Sequence, residues 1–310
     1  MNAPGLAVVI PAFDSAPTIE RAVRSALDQP GVTGVHVVDD GSHDDTARLA
    51  RDAGATVTRQ VNAGPASARN RGLELVQTAP RVHALFLDAD DELAPDSGNA
   101  ILDALEVHPD ATVVIGAHEQ VTLSGVRLRS PDASWVAQGC LPHRGIALGT
   151  GHVFCTTGVT LARRAIDADV RFDPDLLFCE DRDLVFRAGA VGSVAVTART
   201  IVRKHDDPAR LTADPDKVRR WLDDVLRLVA LHGGSDADPV TIEHLEATSR
   251  WIVKHAVRSL ARRGESIPAD DWRRIRAVFT ERGWSLPSGV GRWRVVARMR
   301  RLASRQRTPA

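Results

Sequence analysis

The sequence predicts an α/β fold in which a mostly parallel central sheet, covered by helices on both faces, is followed by an α-helical C-terminal region. Three observations carry that prediction. Four short apolar runs, Leu6 to Pro11, Val35 to Val38, Val82 to Leu87 and Thr112 to Gly116, recur at the spacing of strands joined by helices. Between them lie segments of helical period, Thr18 to Leu27, Thr46 to Ala53, Ala66 to Val76 and Asn99 to His108. Apolar strands that alternate with amphipathic helices build parallel sheets buried on both sides. Lastly, the polar clusters fall at the C-terminal ends of these strands or in the loops after them, where open α/β sheets bind ligands.

The first strand leads into Pro11-Ala12-Phe13-Asp14, with neither a G-x-G-x-x-G turn nor a G-x-x-x-x-G-K-[ST] loop after it, which argues against a dinucleotide dehydrogenase or a P-loop enzyme. The second runs into Val38-Asp39-Asp40-Gly41-Ser42-His43-Asp44-Asp45-Thr46. There Gly41 permits a tight turn and Asp44 or Asp45 can cap the next helix. Asp39 and Asp40 are left at the strand end, where a carboxylate can accept a ring N–H or ribose hydroxyls. A Gly64-Pro65 turn then opens a helix of small residues carrying Arg69 one turn in. The planar fork of Arg69 suits a base edge, a phosphate or Asp40, and a helix-surface arginine is the plain alternative.

The strand Leu85-Phe86-Leu87 ends in Asp88-Ala89-Asp90-Asp91. Alternation along an extended segment points Asp88 and Asp90 to one side while Asp91 begins the turn. Convergent carboxylates suit Mg²⁺ or Mn²⁺, which keep positions open for phosphate oxygens. An Asp-rich turn before a helix cap is the competing explanation. Further on, Ser124-Gly125 reads as a hairpin turn, and Ser130 to Thr150 as a loop near an acceptor site. Glu180-Asp181 stands at a helix start, where orphan N–H groups and the dipole favour an anion; capping is the commoner use of such a residue. Beyond Leu211 the strand signal gives way to helices over Lys217 to Leu231, His244 to Arg262, Asp270 to Arg282 and Gly291 to Ser304. The expected division is therefore 1–211 and 212–310.

Forty basic residues balance forty acidic ones, so no global field draws the chain to nucleic acid. The last stretch differs. From Trp284 onward it holds Arg292, Arg294, Arg298, Arg300, Arg301, Arg305 and Arg307 and no acidic residue. An amphipathic helix there suits either an anionic membrane surface or packing on its own domain. Cys140, Cys155 and Cys179 are odd in number and lack metal-site spacing, which suggests free thiols in a reducing compartment. With no secretory n-region at the start and no run of membrane-spanning length, the expected location is cytoplasmic, with residues 290–307 as a peripheral contact at the inner face of the membrane.

In this order and spacing, the V-V-I-P-A-F, VDDGS-x-D-x-T, N-x-G-x-x-x-A-R-N-x-G and D-x-DD runs resemble family 2 glycosyltransferases of the GT-A fold. The resemblance continues through Gly158 to Arg164, Arg171-Phe172-Asp173 and Cys179 to Leu184, and fades near Thr212. It implies roles residue by residue. Pro11 and Ala12 match backbone that packs on the nucleotide, Asp40 the carboxylate that reads uracil, and Arg69 the arginine beside the base. Asp88 and Asp90 match a ribose-and-metal pair, and Asp91 a position that is itself the metal ligand in some relatives. The direct metal bond stays open between Asp90 and Asp91. His205 matches a histidine that approaches the metal or diphosphate, and in the catalytic pair of Glu180 and Asp181, Asp181 matches the general base.

The implied activity is inverting transfer of a hexosyl or N-acetylhexosaminyl unit with Mn²⁺ or Mg²⁺. The implied donor is a UDP-sugar or dTDP-sugar, and the acceptor a hydroxyl on a glycan, a lipid-linked saccharide or a small metabolite. Two alternatives stand beside it. One is a catalytically silent nucleotide- or glycan-binding scaffold docked at a membrane surface. The other is a processive polysaccharide synthase relative, since Lys217-Val218-Arg219-Arg220-Trp221 departs from the Q-x-x-R-W box of those enzymes by Lys in place of Gln.

Overall fold

The computed structural model describes residues 4–141, 156–177, 179–205, 215–262 and 265–288. Its sheet grows outward from β1 (Gly5–Ala12), which pairs in parallel with β2 (Val32–Asp39); β2 in turn pairs in parallel with β3 (Thr56–Arg59). On its other side β1 pairs in parallel with β4 (Val82–Phe86). Two long strands, β6 (Ala111–Thr122) and β10 (Ser193–His205), form a second parallel pair. Between the two blocks lies β9 (Thr160–Leu161), antiparallel to both β4 and β6. Short antiparallel strands complete the edge: β5 (Glu92–Leu93) and β8 (Cys140–Leu141) on β10, and β7 (Gly125–Arg129) on β6. The expected parallel core is present, and these short insertions make the complete sheet mixed.

Each predicted strand lies within an observed one or overruns it by a residue, and the Ser124-Gly125 turn closes the β6–β7 hairpin. Strand β10 escaped the periodicity reading for a physical reason. Its centre, Thr197 to Thr200, is polar, and its register with β6 is irregular between Val196 and Thr200. Within Ser130 to Thr150, α5 (Ala133–Gln138) and β8 form where a loop was expected; the remainder of that segment lies outside the described residues.

Helix α1 (Ile19–Leu27) buries Ile19, Ala22, Val23 and Ala26, a single stripe at helical spacing. That stripe joins Leu6, Val8 and Ile10 of β1 and Val35 and Val37 of β2 in one apolar core. Helix α3 (Pro65–Gln77) covers the opposite face, which Val9 of β1 presents. A Cβ at Gly72 would fall 2.2 Å from Val9 Cγ1, so only glycine permits α3 to lie this near the strand. That approach places the first turns of α3 at the C-terminal rim of the sheet. Helices α2 (Thr46–Asp52), α4 (Ser97–Val107), α6 (Arg163–Asp167) and α7 (Glu180–Ala188) complete the first compact unit.

A second unit contains Leu176–Cys179 and the helices α8 (Pro215–His232), α9 (Pro239–Arg262) and α10 (Ala269–Glu281). It has its own buried residues, among them Leu245, Val253 and Ala256. Asp224 of α8 is buried and accepts backbone N–H groups of Leu177 (3.1 Å) and Cys179 (3.2 Å). The expected boundary at residue 211 and the predicted helix from Gly291 to Ser304, with its arginines, lie outside the described residues. Among the described residues no helix is long and apolar enough to cross a membrane.

Candidate active site

After β4 the chain turns tightly, with the Asp91 N–H donating to the Asp88 carbonyl (3.1 Å) and the Asp88 N–H to Thr157 Oγ1 (3.2 Å). Arg21 of α1 braces the turn from behind, donating to the Asp90 carbonyl at 2.7 Å and pairing with Glu92 at 3.0 Å. The result is convergence: one carboxylate oxygen each from Asp88, Asp90 and Asp91 lie within 4.8 Å of one another. Asp91 is fully buried; its Oδ1 accepts the His205 backbone N–H at 2.9 Å and its Oδ2 lies 3.8 Å from Lys204 Nζ. Three anionic oxygens at this spacing make a donor set that fits a hard divalent cation and that mutual repulsion would otherwise disfavour.

The imidazole of His205 is not in that group. Its Nε2 lies 2.8 Å from Glu92 Oε1, an ion-pair contact when the ring is protonated rather than a well-aligned hydrogen bond. His205 therefore meets the acidic turn through its backbone.

Across the rim stands α7. Glu180 opens it, buried, and its Oε1 accepts from Arg69 (3.2 Å) and from the Thr156 hydroxyl (3.2 Å). Asp181 is half-buried, with Oδ1 accepting the Arg182 N–H at 2.7 Å. Arg69 is only 4% exposed and reaches both sides of the site, with its other terminal nitrogen 2.8 Å from Asp88 Oδ1. Its guanidinium carbon lies 5.4 Å from the centre of the Phe172 ring. Asp88, Glu180 and Asp181 all act on this one guanidinium. Burial, followed by the charge of Asp181, pushes the Glu180 carboxyl up to about 8 against the pull of Arg69. The ion-paired reading of Arg69 with Glu180 assumes an ionised acid; the direction that stands is upward, because a neutral carboxyl still accepts the Arg69 hydrogen bond. Asp181 is also raised, chiefly by desolvation.

The β2 rim is built differently. Asp40, 4% exposed, accepts from Gln60 Nε2 (2.8 Å) and Ala63 N–H (2.9 Å) on Oδ1 and from Gly64 N–H (2.8 Å) on Oδ2. A carboxylate offers about four acceptor sites, so one remains for a ligand. Asp39, also buried, holds the Ser42 N–H at 2.9 Å, and Asp44, rather than the N-cap residue Asp45, accepts the Thr46 N–H at 3.0 Å. Pro11 and Ala12 end β1 beside them, with the Asp40 N–H bound to the Ala12 carbonyl at 2.8 Å.

The structure thus gathers Asp88, Asp90 and Asp91 in one cluster and links Asp88 through Arg69 to the Glu180 end of α7. Pro11, Ala12 and Asp40 sit at the neighbouring strand ends. Sequence reasoning missed Thr156, Thr157, Arg21 and Lys204. Thr156 and Thr157 carry no pattern of their own, and Arg21 looks like any polar-face residue of α1. Lys204 was legible only as the neighbour of His205. An open groove of about 940 Å³ beside the acidic turn is lined by Arg21, Arg24, Glu92 and Arg203 and by none of the site aspartates.

The model of the family described as "Glycosyl transferase family 2" matches residues 7–175, more than half of the chain. The chain belongs to that family, and its fold is of the GT-A type. Among curated relatives, the succinoglycan biosynthesis protein ExoU of Rhizobium meliloti is 32% identical over 203 residues, covering 60% of this chain and 57% of that protein. The amylovoran biosynthesis glycosyltransferase AmsB of Erwinia amylovora is 28% identical over 199 residues, covering 60% and 64%. The chain thus spans about three-fifths of the length of these relatives. Among solved structures, S. aureus TarS 1-349 in complex with UDP-GlcNAc superposes with a TM-score of 0.60 at 16% identity, covering 96% of this chain and 92% of that one. The mannosyltransferase PcManGT of Pyrobaculum calidifontis, in complex with GDP-Man and Mn²⁺, gives a TM-score of 0.57 at 18% identity, covering 98% and 88%. At such identities the likeness speaks for the fold.

Proposed function

We propose that this glycosyltransferase moves a hexosyl or N-acetylhexosaminyl unit from a UDP-linked donor to an acceptor hydroxyl with inversion, and that Asp181 is the general base. The observation that carries the reading is the meeting of three aspartates on one rim with an acid pair at the start of α7, joined through Arg69. Asp90 and Asp91, with Asp88 beside them, would hold Mn²⁺ or Mg²⁺. When bound, such an ion supplies Lewis-acid stabilisation of charge on the departing diphosphate.

Everything else falls to the chain itself. Pro11, Ala12 and the remaining acceptor site of Asp40 would seat the base, and Asp88 the ribose. The acceptor oxygen forms its bond to the anomeric carbon as the bond to the diphosphate breaks, and the diphosphate keeps the electron pair. The acceptor proton passes to Asp181. A carboxylate raised by desolvation is a better base than one in water, which suits that task. His205 and Glu92 would steady the turn from outside, with Lys204 adding positive charge next to Asp91.

A saccharide acceptor is supported by the names of relatives in succinoglycan and amylovoran biosynthesis. The proposed setting is cytoplasmic, at the inner face of the membrane, with residues 212–310 as a helical appendage and 290–307 as the contact. Neither of the alternatives weighed from sequence gains a specific observation. A screen of UDP-, GDP- and dTDP-sugars for nucleotide release with Mn²⁺ tests the proposal. Release from a UDP-sugar that depends on added acceptor and on metal is the expected result, and release from no donor would reject it.

A further inference from the structure

We infer that Arg69 is a positioning residue: it ties Asp88 on the acidic turn to Glu180 in the first turn of α7, and so fixes where Asp181 stands relative to the donor. The inference rests on the reading of Asp181 as base. It departs from the nucleotide-facing role that the resemblance implies for this arginine.

Three features of the site converge on it. Both terminal nitrogens of Arg69 are engaged, one 2.8 Å from Asp88 Oδ1 and the other 3.2 Å from Glu180 Oε1, and the residue is 4% exposed. An arginine that read a base edge would turn these donors toward the ligand space. The guanidinium also sits over Phe172 at 5.4 Å, and Phe172 is itself clamped by the next residue of α3. Asn70 donates to the Phe172 carbonyl at 2.9 Å and accepts its N–H at 2.8 Å. Finally, the Thr156 hydroxyl holds the same Glu180 oxygen at 3.2 Å, so that oxygen is fixed from two directions.

The chemistry of arginine explains why this residue type stands here. A planar fork carries donors in fixed directions and spans two carboxylates, whereas a lysine ammonium is a point charge that satisfies one. Arg69→Lys therefore keeps a cation near Asp88 and gives up the link to Glu180. Displacing a base from its working position is costly even when nothing at the reacting atoms changes.

The test uses the full chain with its UDP-sugar donor, and reads kcat, donor KM and Mn²⁺-dependent UDP affinity by calorimetry. For Arg69→Lys we expect kcat to fall about 100-fold while UDP affinity changes by less than about threefold. Arg69→Met, Glu180→Leu and their combination complete a double-mutant cycle. Because the two side chains act as one strut, kcat of the double variant should lie within about threefold of Arg69→Met alone. Should UDP affinity fall as far as kcat in Arg69→Lys, or the single losses multiply in the double variant, the positioning role is overturned. Arg69→Lys with unchanged kcat overturns it as well. Thermal melting of Arg69→Lys verifies that the milder variant is folded. Failure of the underlying reading looks different: Asp181→Asn would then retain turnover, whatever Arg69→Lys does.

Discussion

The rim after β2 and the rim after β4 both carry adjacent aspartates, yet the two sets are used in opposite ways. At Asp39 and Asp40 the neighbours are donors: Ser42, Gln60, Ala63 and Gly64 all give hydrogen bonds, so the carboxylates organise the loops around them. At Asp88, Asp90 and Asp91 carboxylate oxygens lie within 4.8 Å of one another, and Arg69 links Asp88 to Glu180, the neighbour of Asp181. A carboxylate held by several donors organises its loop, whereas carboxylates gathered on one another suit a proton or a metal. Glu180 displays the first remedy in its raised pKa, and the proposed divalent ion is the second.

The largest effect should come from the side of the acidic turn and α7. Asp181→Asn removes the proposed base while preserving shape, and kcat should drop by about 10³-fold, within the range for general-base loss, with Mn²⁺-dependent UDP binding retained. UDP-release kinetics beside calorimetry would measure both. Next comes Asp91→Asn, which keeps an acceptor for the His205 N–H but removes a charge from the cluster. Metal-promoted UDP uptake should weaken by about tenfold or more, roughly 1.4 kcal/mol or above, with little change in melting. If metal dependence is unchanged, the ion lies elsewhere.

The β2 rim should respond in stability first. Asp40→Ala strips the acceptor from Gln60, Ala63 and Gly64 and should destabilise the fold by about 2–4 kcal/mol in urea unfolding, since buried donors are left unmet. A loss of UDP affinity without a loss of stability would leave Asp40 with the proposed ligand-reading role alone.

A last effect concerns pH. The folded chain holds a proton on Glu180 up to about 8, whereas an unfolded chain releases it near 4.5. That contribution to stability is fully present below about pH 4.5 and is lost as pH rises through about 8. In metal-free buffer, Glu180→Gln should flatten the decline of Tm over this window, and parallel profiles for the two proteins would refute the raised pKa of Glu180.

Much of this was legible in the chain. Local patterns fix strands such as Leu6 to Pro11, the Gly64-Pro65 start of α3 and the acidic turn at 88–91, because each depends on neighbours within a few residues. The need for glycine at 72 is not local; it follows from the nearness of Val9. The same holds for β10, whose polar centre interrupts the register and is flanked by stretches that pair with β6. Arg69 makes the distinction sharpest. Its residue type and helical position were evident, but its partners Asp88 and Glu180 lie 19 and 111 residues away. Sequence by itself determined which carboxylates exist, their order and the sheet edge that carries them. Tertiary structure alone decided which are held by backbone and side-chain donors and which are gathered on one another, because hydrogen bonding and desolvation depend on groups that meet only after the chain has folded.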